Sequence, residues 1–121
     1  MRTAPVGGLL LLLSSVFLGG CQSDVARERA AASRGGTVAQ AWCAECHRVS
    51  PDQPSGARAG HTMPPPLVAP SFMTIADGPD GNRERLQRFV SGLHLPMPTF
   101  RLSHDEQQDV VAYILSLKRG S

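Results

Sequence analysis

The stretch Cys43-Ala44-Glu45-Cys46-His47 decides how this chain of 121 residues folds. On one helical turn, residues i and i+3 lie on a common face. Two thiols at that spacing can add to the two vinyl groups along one edge of a porphyrin. The histidine that follows then projects beneath the ring toward its iron. Cys-x-x-Cys-His is the attachment signature of covalently bound haem. It predicts a single haem c, held through Cys43 and Cys46, with His47 as an axial ligand. Three other chemistries use paired cysteines. A thioredoxin-like dithiol follows a strand at a helix start, whereas this motif closes a helical pattern in a chain without βαβ units. Structural zinc needs four ligands, but there is no second Cys pair, and His61, His94 and His104 are scattered. A disulfide across two intervening residues closes a very small loop and stabilises little.

Low-spin iron needs a ligand on its second axial side. Met63, Met73 and Met97 are the candidates that follow the motif. Met97 lies in Leu95-Pro96-Met97-Pro98, where flanking prolines stiffen the backbone and reduce the entropy lost in presenting the sulfur. It is the expected ligand. Met63 precedes prolines in a glycine-rich loop nearer the motif. Met73 follows Phe72 in an apolar turn and reads as packing. A histidine ligand, His61 or His94, is the alternative.

The rest of the chain reads as helices joined by loops. Thr37-Val38-Ala39-Gln40 matches a capping box, which predicts a helix over 38–46, with an earlier start placing Gly35 and Gly36 inside it. Residues 49–70 hold repeated Pro and Gly and read as loop. Residues 71–76 form a helical turn stopped by Asp77-Gly78-Pro79. Asn82 is an N-cap, and Leu86, Phe89, Val90 and Leu93 share the helical face that follows. Ser103-His104-Asp105-Glu106 is a second capping box. Beyond it Val110, Tyr113, Ile114 and Leu117 form a buried stripe. No strand pattern of useful length appears. The expected fold class is all-α, a small domain of helices and loops wrapped around its cofactor.

At the other end, Arg2, the apolar run from Val6 to Leu18 and Leu18-Gly19-Gly20-Cys21 follow the order of a secretory signal. The run of about 13 residues is short of the roughly 20 that cross a bilayer. Leu-Gly-Gly-Cys also resembles the lipobox of bacterial lipoproteins. That resemblance implies cleavage before Cys21 and lipid on its sulfur, which accounts for the third cysteine of an odd set. By the same resemblance, Gln22 after it implies the outer membrane rather than the inner. The expected organisation is a signal peptide over 1–20, a flexible tether over 21–34 and one domain over 35–121, anchored on the periplasmic side of a membrane.

Composition narrows the function. Twelve Lys+Arg against ten Asp+Glu give a net charge of +2, too small and too dispersed for a nucleic-acid footprint. Arg83, Arg85 and Arg88 read as a solvated helix face. Aromatics make up 5% of residues, which excludes a large aromatic core. A domain near 100 residues buries a modest share of its surface, and a large apolar cofactor helps it.

From Gly35 onward the chain resembles the bacterial class I c-type cytochromes, monohaem proteins. The residues that carry the resemblance are Cys43-Ala44-Glu45-Cys46-His47, then Met97-Pro98-Thr99-Phe100, then Asp109-Val110-Val111-Ala112-Tyr113-Ile114, in the family's order. The resemblance implies a small cytochrome c fold whose first and last helices cross, a small residue (Gly35 or Gly36) meeting an aromatic (Tyr113). It implies that Pro70 offers its carbonyl to the His47 ring. It implies an electron carrier rather than an enzyme, monomeric unless it is a subunit of an oxidoreductase complex, docking transiently on redox protein partners. A haem-based small-ligand sensor with a labile sixth site is the rival reading.

Overall fold

The computed structural model describes residues 19–53, 69–92 and 102–119. Among them are four helices and no strand: α1 (Gly19–Trp42), α2 (Phe72–Asp77), α3 (Arg83–Ser91) and α4 (His104–Ser116). The helical expectation holds. Helix α4 is the centre of the fold, with α1, α2 and α3 all packed against it.

Local chemistry sets three of the four helix starts. The Ser71 hydroxyl accepts the Thr74 N–H at the start of α2. The Asn82 side chain accepts the Arg85 N–H at the start of α3. At α4 the capping box is complete: Glu106 N–H donates to Ser103 Oγ at 3.3 Å, and Ser103 N–H donates to Glu106 Oε2 at 2.8 Å. Each cap satisfies backbone donors that a first helical turn leaves without partners.

Helix α1 departs from expectation at its start. The Thr37 box does not open it. Thr37 lies inside a continuous helix, and its hydroxyl donates back to the Ser33 carbonyl at 3.4 Å. The segment 21–34, expected as a flexible tether, is the first half of this helix. Its Ala-rich sequence has high helix propensity. Ion pairs then fasten it: Arg27 to Asp24 along the helix, Glu28 to Arg83 of α3, and Arg34 to Asp109 of α4. The boundary drawn before Gly35 therefore falls inside one element.

The crossing of α1 and α4 depends on two glycines. A Cβ on Gly35 would lie 1.8 Å from the Asp109 carbonyl oxygen, and one on Gly36 would lie 3.2 Å from Tyr113 Cε2. Without side chains there, the α1 backbone rests directly on α4. Beside the contact, Arg34 grips Asp109 with both arms, Nε to Oδ2 at 2.7 Å and Nη2 to Oδ1 at 2.8 Å. The Asp109 carboxylate is buried and is satisfied there.

Around this crossing lie Ala39, Val49, Phe72, Ala76, Leu86, Val110, Val111 and Ile114. Met73 packs at their edge, as its apolar turn suggests. Helix α3 buries Leu86 and half-buries Val90, but Phe89 is 54% exposed. Phe89 sits roughly 60° around the helix from Leu86, on the side away from Val90, so the stripe is narrower than the periodicity implies. Arg83, Arg85 and Arg88 are exposed and paired with Glu28, Asp80 and Glu84. At the far end of α4, Arg119 donates to Asp77 from its backbone N–H at 3.0 Å and its Nε at 2.6 Å, tying the chain end to α2. No helix among the described residues is long and apolar enough to cross a membrane.

Candidate functional site

The Cys-x-x-Cys-His turn begins where α1 ends. Cys43 N–H still donates to the Ala39 carbonyl at 2.9 Å, and Ala44 N–H reaches the same oxygen at 3.0 Å. The chain then wraps around one acceptor: Cys46 N–H and His47 N–H both donate to the Cys43 carbonyl, at 3.2 and 2.9 Å. The turn keeps both sulfurs and the imidazole within a single coil of backbone. Cys43 and Cys46 are free thiols, each half-buried. Burial, with Cys46 beside it, pushes the Cys43 thiol up to about 11. A redox-active dithiol needs its nucleophilic thiol depressed instead, so Cys43 itself is not poised as the attacking thiol of disulfide exchange.

The His47 ring is held by two contacts. Its Nδ1 lies 2.7 Å from the Pro70 carbonyl oxygen. A carbonyl can only accept, so Nδ1 carries the proton and, in the neutral ring, Nε2 is left with its lone pair. The Phe72 ring packs against the imidazole, centroids 5.4 Å apart and tilted by 54°. Phe72 in turn meets Tyr113 at 6.4 Å. The backbone that follows is fastened too. Phe72 N–H donates to the Arg48 carbonyl at 3.0 Å, and the Tyr113 hydroxyl donates to the Val49 carbonyl at 2.8 Å. Helix α2 and helix α4 thus both hold the turn that α1 delivers.

Two residues without a sequence signal complete this turn. Gln53 accepts the Val49 N–H on Oε1 at 2.9 Å, and its Nε2 lies at the long distance of 3.5 Å from the His47 carbonyl. Arg48 folds over it, Nε donating to the Gln53 carbonyl at 2.9 Å and Nη2 to the Pro51 carbonyl at 2.6 Å. Only the closed shape of the loop brings these groups together, and no spacing rule encodes it.

The structure brings together Cys43, Cys46, His47 and Pro70. Met97, Met63, His61 and His94 lie outside the described residues, as do 1–18 and the side chain of Cys21. His104, at the start of α4, is exposed. Trp42, next to the first motif cysteine, is 52% exposed. The donor set suits a c-type haem: two reduced thiols on one turn for thioether bonds, and an imidazole whose Nδ1 is already committed, so that Nε2 is the atom available to iron.

A helical frame closed on two glycines around such a turn defines a class I c-type cytochrome, a protein that transfers electrons through c-type haem. Within that class, residues 30–114 match the family model described as cytochrome c oxidase, cbb3-type, subunit III, and the chain belongs to that family. It is 37% identical over 87 residues to cytochrome c-552 of Bradyrhizobium diazoefficiens, an alignment covering 72% of this chain and 75% of the relative. No solved structure matches it.

Proposed function

We propose that this protein is a membrane-tethered electron carrier of a respiratory redox chain, or the electron-transfer subunit of a larger oxidoreductase, built on one covalent haem. Cys43 and Cys46 would hold the haem by thioether bonds, and His47, through Nε2, and Met97 would ligate its iron. When bound, the haem supplies a reversible one-electron couple. The chain fixes the imidazole through Pro70 and Phe72, excludes water with the apolar faces of α2 and α4, and hands the domain to transient redox partners, whose interfaces are small. Lipid on Cys21 anchors the protein on the periplasmic side, the outer membrane being favoured by Gln22. Several acyl chains give stable attachment, at about 0.8 kcal/mol for each buried CH₂.

The observation that carries this reading is the His47 Nδ1–H bond to Pro70, 2.7 Å long, beside two free thiols on one turn. It is tested by expressing the chain in a host that matures c-type haem and recording oxidised and reduced spectra. A haem that survives acid extraction, with low-spin bands and a weak far-red ferric band lost in Met97→Ala, is the expected result. A covalent but high-spin spectrum that shifts with carbon monoxide would favour the sensor instead. Two titratable thiols and no retained haem would refute both. Labelling with a radioactive fatty acid, lost in Cys21→Ala, tests the anchor.

A further inference from the structure

We infer that Gln53, closed over by Arg48, is a positioning residue that sets the strength of the His47–Pro70 hydrogen bond and through it the reduction potential. This rests on the haem reading above. The bond joins two stretches far apart in sequence, 47–49 and 70–72. Their register is kept by few contacts. Phe72 N–H on the Arg48 carbonyl fixes one stretch against the other. Val49 is then the anchor of its own stretch: its side chain is fully buried, its carbonyl takes the Tyr113 hydroxyl, and its N–H goes to Gln53 Oε1.

Gln53 is thus a side chain doing what a backbone carbonyl does elsewhere. It lies at the end of a turn, Gln53 N–H donating to the Ser50 carbonyl at 3.2 Å. That turn alone is a weak hold. Arg48 closes it, its guanidinium joining the Pro51 and Gln53 carbonyls. The result is a loop in which residue 48 clamps residue 53 and residue 53 clamps residue 49. If the Gln53 side chain is removed, the Val49 N–H loses its partner, and 48–49 can slide against 70–72. The first bond to lengthen is that of His47 to Pro70, because a ring swings further than the backbone it hangs from.

The electronic consequence follows from the ligand. A hydrogen bond from Nδ1–H makes the imidazole more basic and a better donor to ferric iron. Weakening it lowers that donation and moves the potential upward. The side chains of Gln53 and Arg48 are not themselves iron ligands, and Gln53→Ala leaves the net charge unchanged, so the Nδ1 proton of His47 is read beside the potential to separate an effect through the histidine from a change in haem exposure.

The test uses the haem-loaded protein and three variants. Gln53→Ala removes both bonds. Gln53→Glu keeps an acceptor for the Val49 N–H. Arg48→Lys keeps the positive charge while giving up the fork that spans two carbonyls. In Gln53→Ala we expect a higher midpoint potential and exchange of the His47 Nδ1 proton with solvent, followed by NMR in the ferrous state, on the order of tenfold faster. Gln53→Glu, which keeps the acceptor for the Val49 N–H, should restore the slow Nδ1 proton exchange, while its added negative charge lowers the potential on its own account. A Gln53→Ala protein that keeps its haem, melts earlier and shows unchanged potential and proton exchange overturns the inference, because Gln53 is then only structural. Should that variant fail to fold, Arg48→Lys decides the matter by the same two measurements, changed values supporting the inference and wild-type values overturning it. Wild-type protein that retains no covalent haem refutes the haem reading instead, and the inference with it.

Discussion

Phe72 touches both sides of the histidine turn. Its ring lies against His47 and Tyr113, its N–H holds the Arg48 carbonyl, and it is 4% exposed. Phe72→Ala removes a buried ring from the point where α2, α4 and the turn meet. It should cost about 3–5 kcal/mol in chemical denaturation, and Phe72→Leu well under half of that. At this scale the arrangement of the turn was largely legible. Cys43, Cys46 and His47 are uncommon residue types at a spacing that one helical turn makes meaningful, and each is recognised by its own side chain. Pro70 was reached only through resemblance, because a carbonyl has no residue identity to read. Gln53 and Arg48 were not reached at all. Polar side chains are common in loops, and which backbone groups they meet is decided by the closure of the loop, not by neighbours in sequence.

Among the elements, α2, α3 and α4 start where their caps say. A cap is a local event involving residues three apart, so sequence suffices to find it. Ser103→Ala should destabilise the fold by about 1 kcal/mol, read as a lower denaturation midpoint with unchanged slope. The start of α1 was misread for the complementary reason. The Thr37 box is locally plausible, but Ala-rich sequence before it and ion pairs to α3 and α4 extend the helix back through Gly19. Phe89 was misplaced because periodicity marks an apolar stripe without saying how wide a neighbour covers it. The glycine contact offers a graded check. Gly35→Ala, with its Cβ 1.8 Å from the Asp109 carbonyl, should cost more than about 3 kcal/mol or abolish folding. Gly36→Ala meets only the edge of the Tyr113 ring at 3.2 Å and gains helix propensity, so its change in thermal denaturation should stay within about 1 kcal/mol.

For the molecule as a whole, acid is the condition that should loosen it. The Asp77 carboxyl is held below its ordinary range, first by the Arg119 backbone N–H and then by the Arg119 side chain. The Glu106 carboxyl is held down by the Ser103 hydroxyl and backbone. A depressed carboxylate contributes stability that is fully present above its unfolded-state value and is lost as pH falls through the folded one. Stability should therefore be flat near neutrality and decline once pH drops through and below the usual carboxylate range. Denaturation midpoints across that range should fall less steeply for Asp77→Asn, which has no proton to gain. The prediction fails if the variant and the parent have parallel profiles.

Helix α1 spans Gly19–Trp42 without interruption and carries Cys21 at one end and the two-cysteine turn at the other. At 1.5 Å per residue, those ends stand about 33 Å apart. A slack leader would let the domain wander through a volume, sometimes pressed to the bilayer and sometimes far from it. Were Cys21 lipidated, as proposed above, a helix clasped by α3 at Glu28 and by α4 at Arg34 would instead keep the domain at a nearly constant distance from the bilayer. Inserting one heptad ahead of Glu28 should then lift the domain by about 10.5 Å while leaving the Cys43–His47 turn untouched.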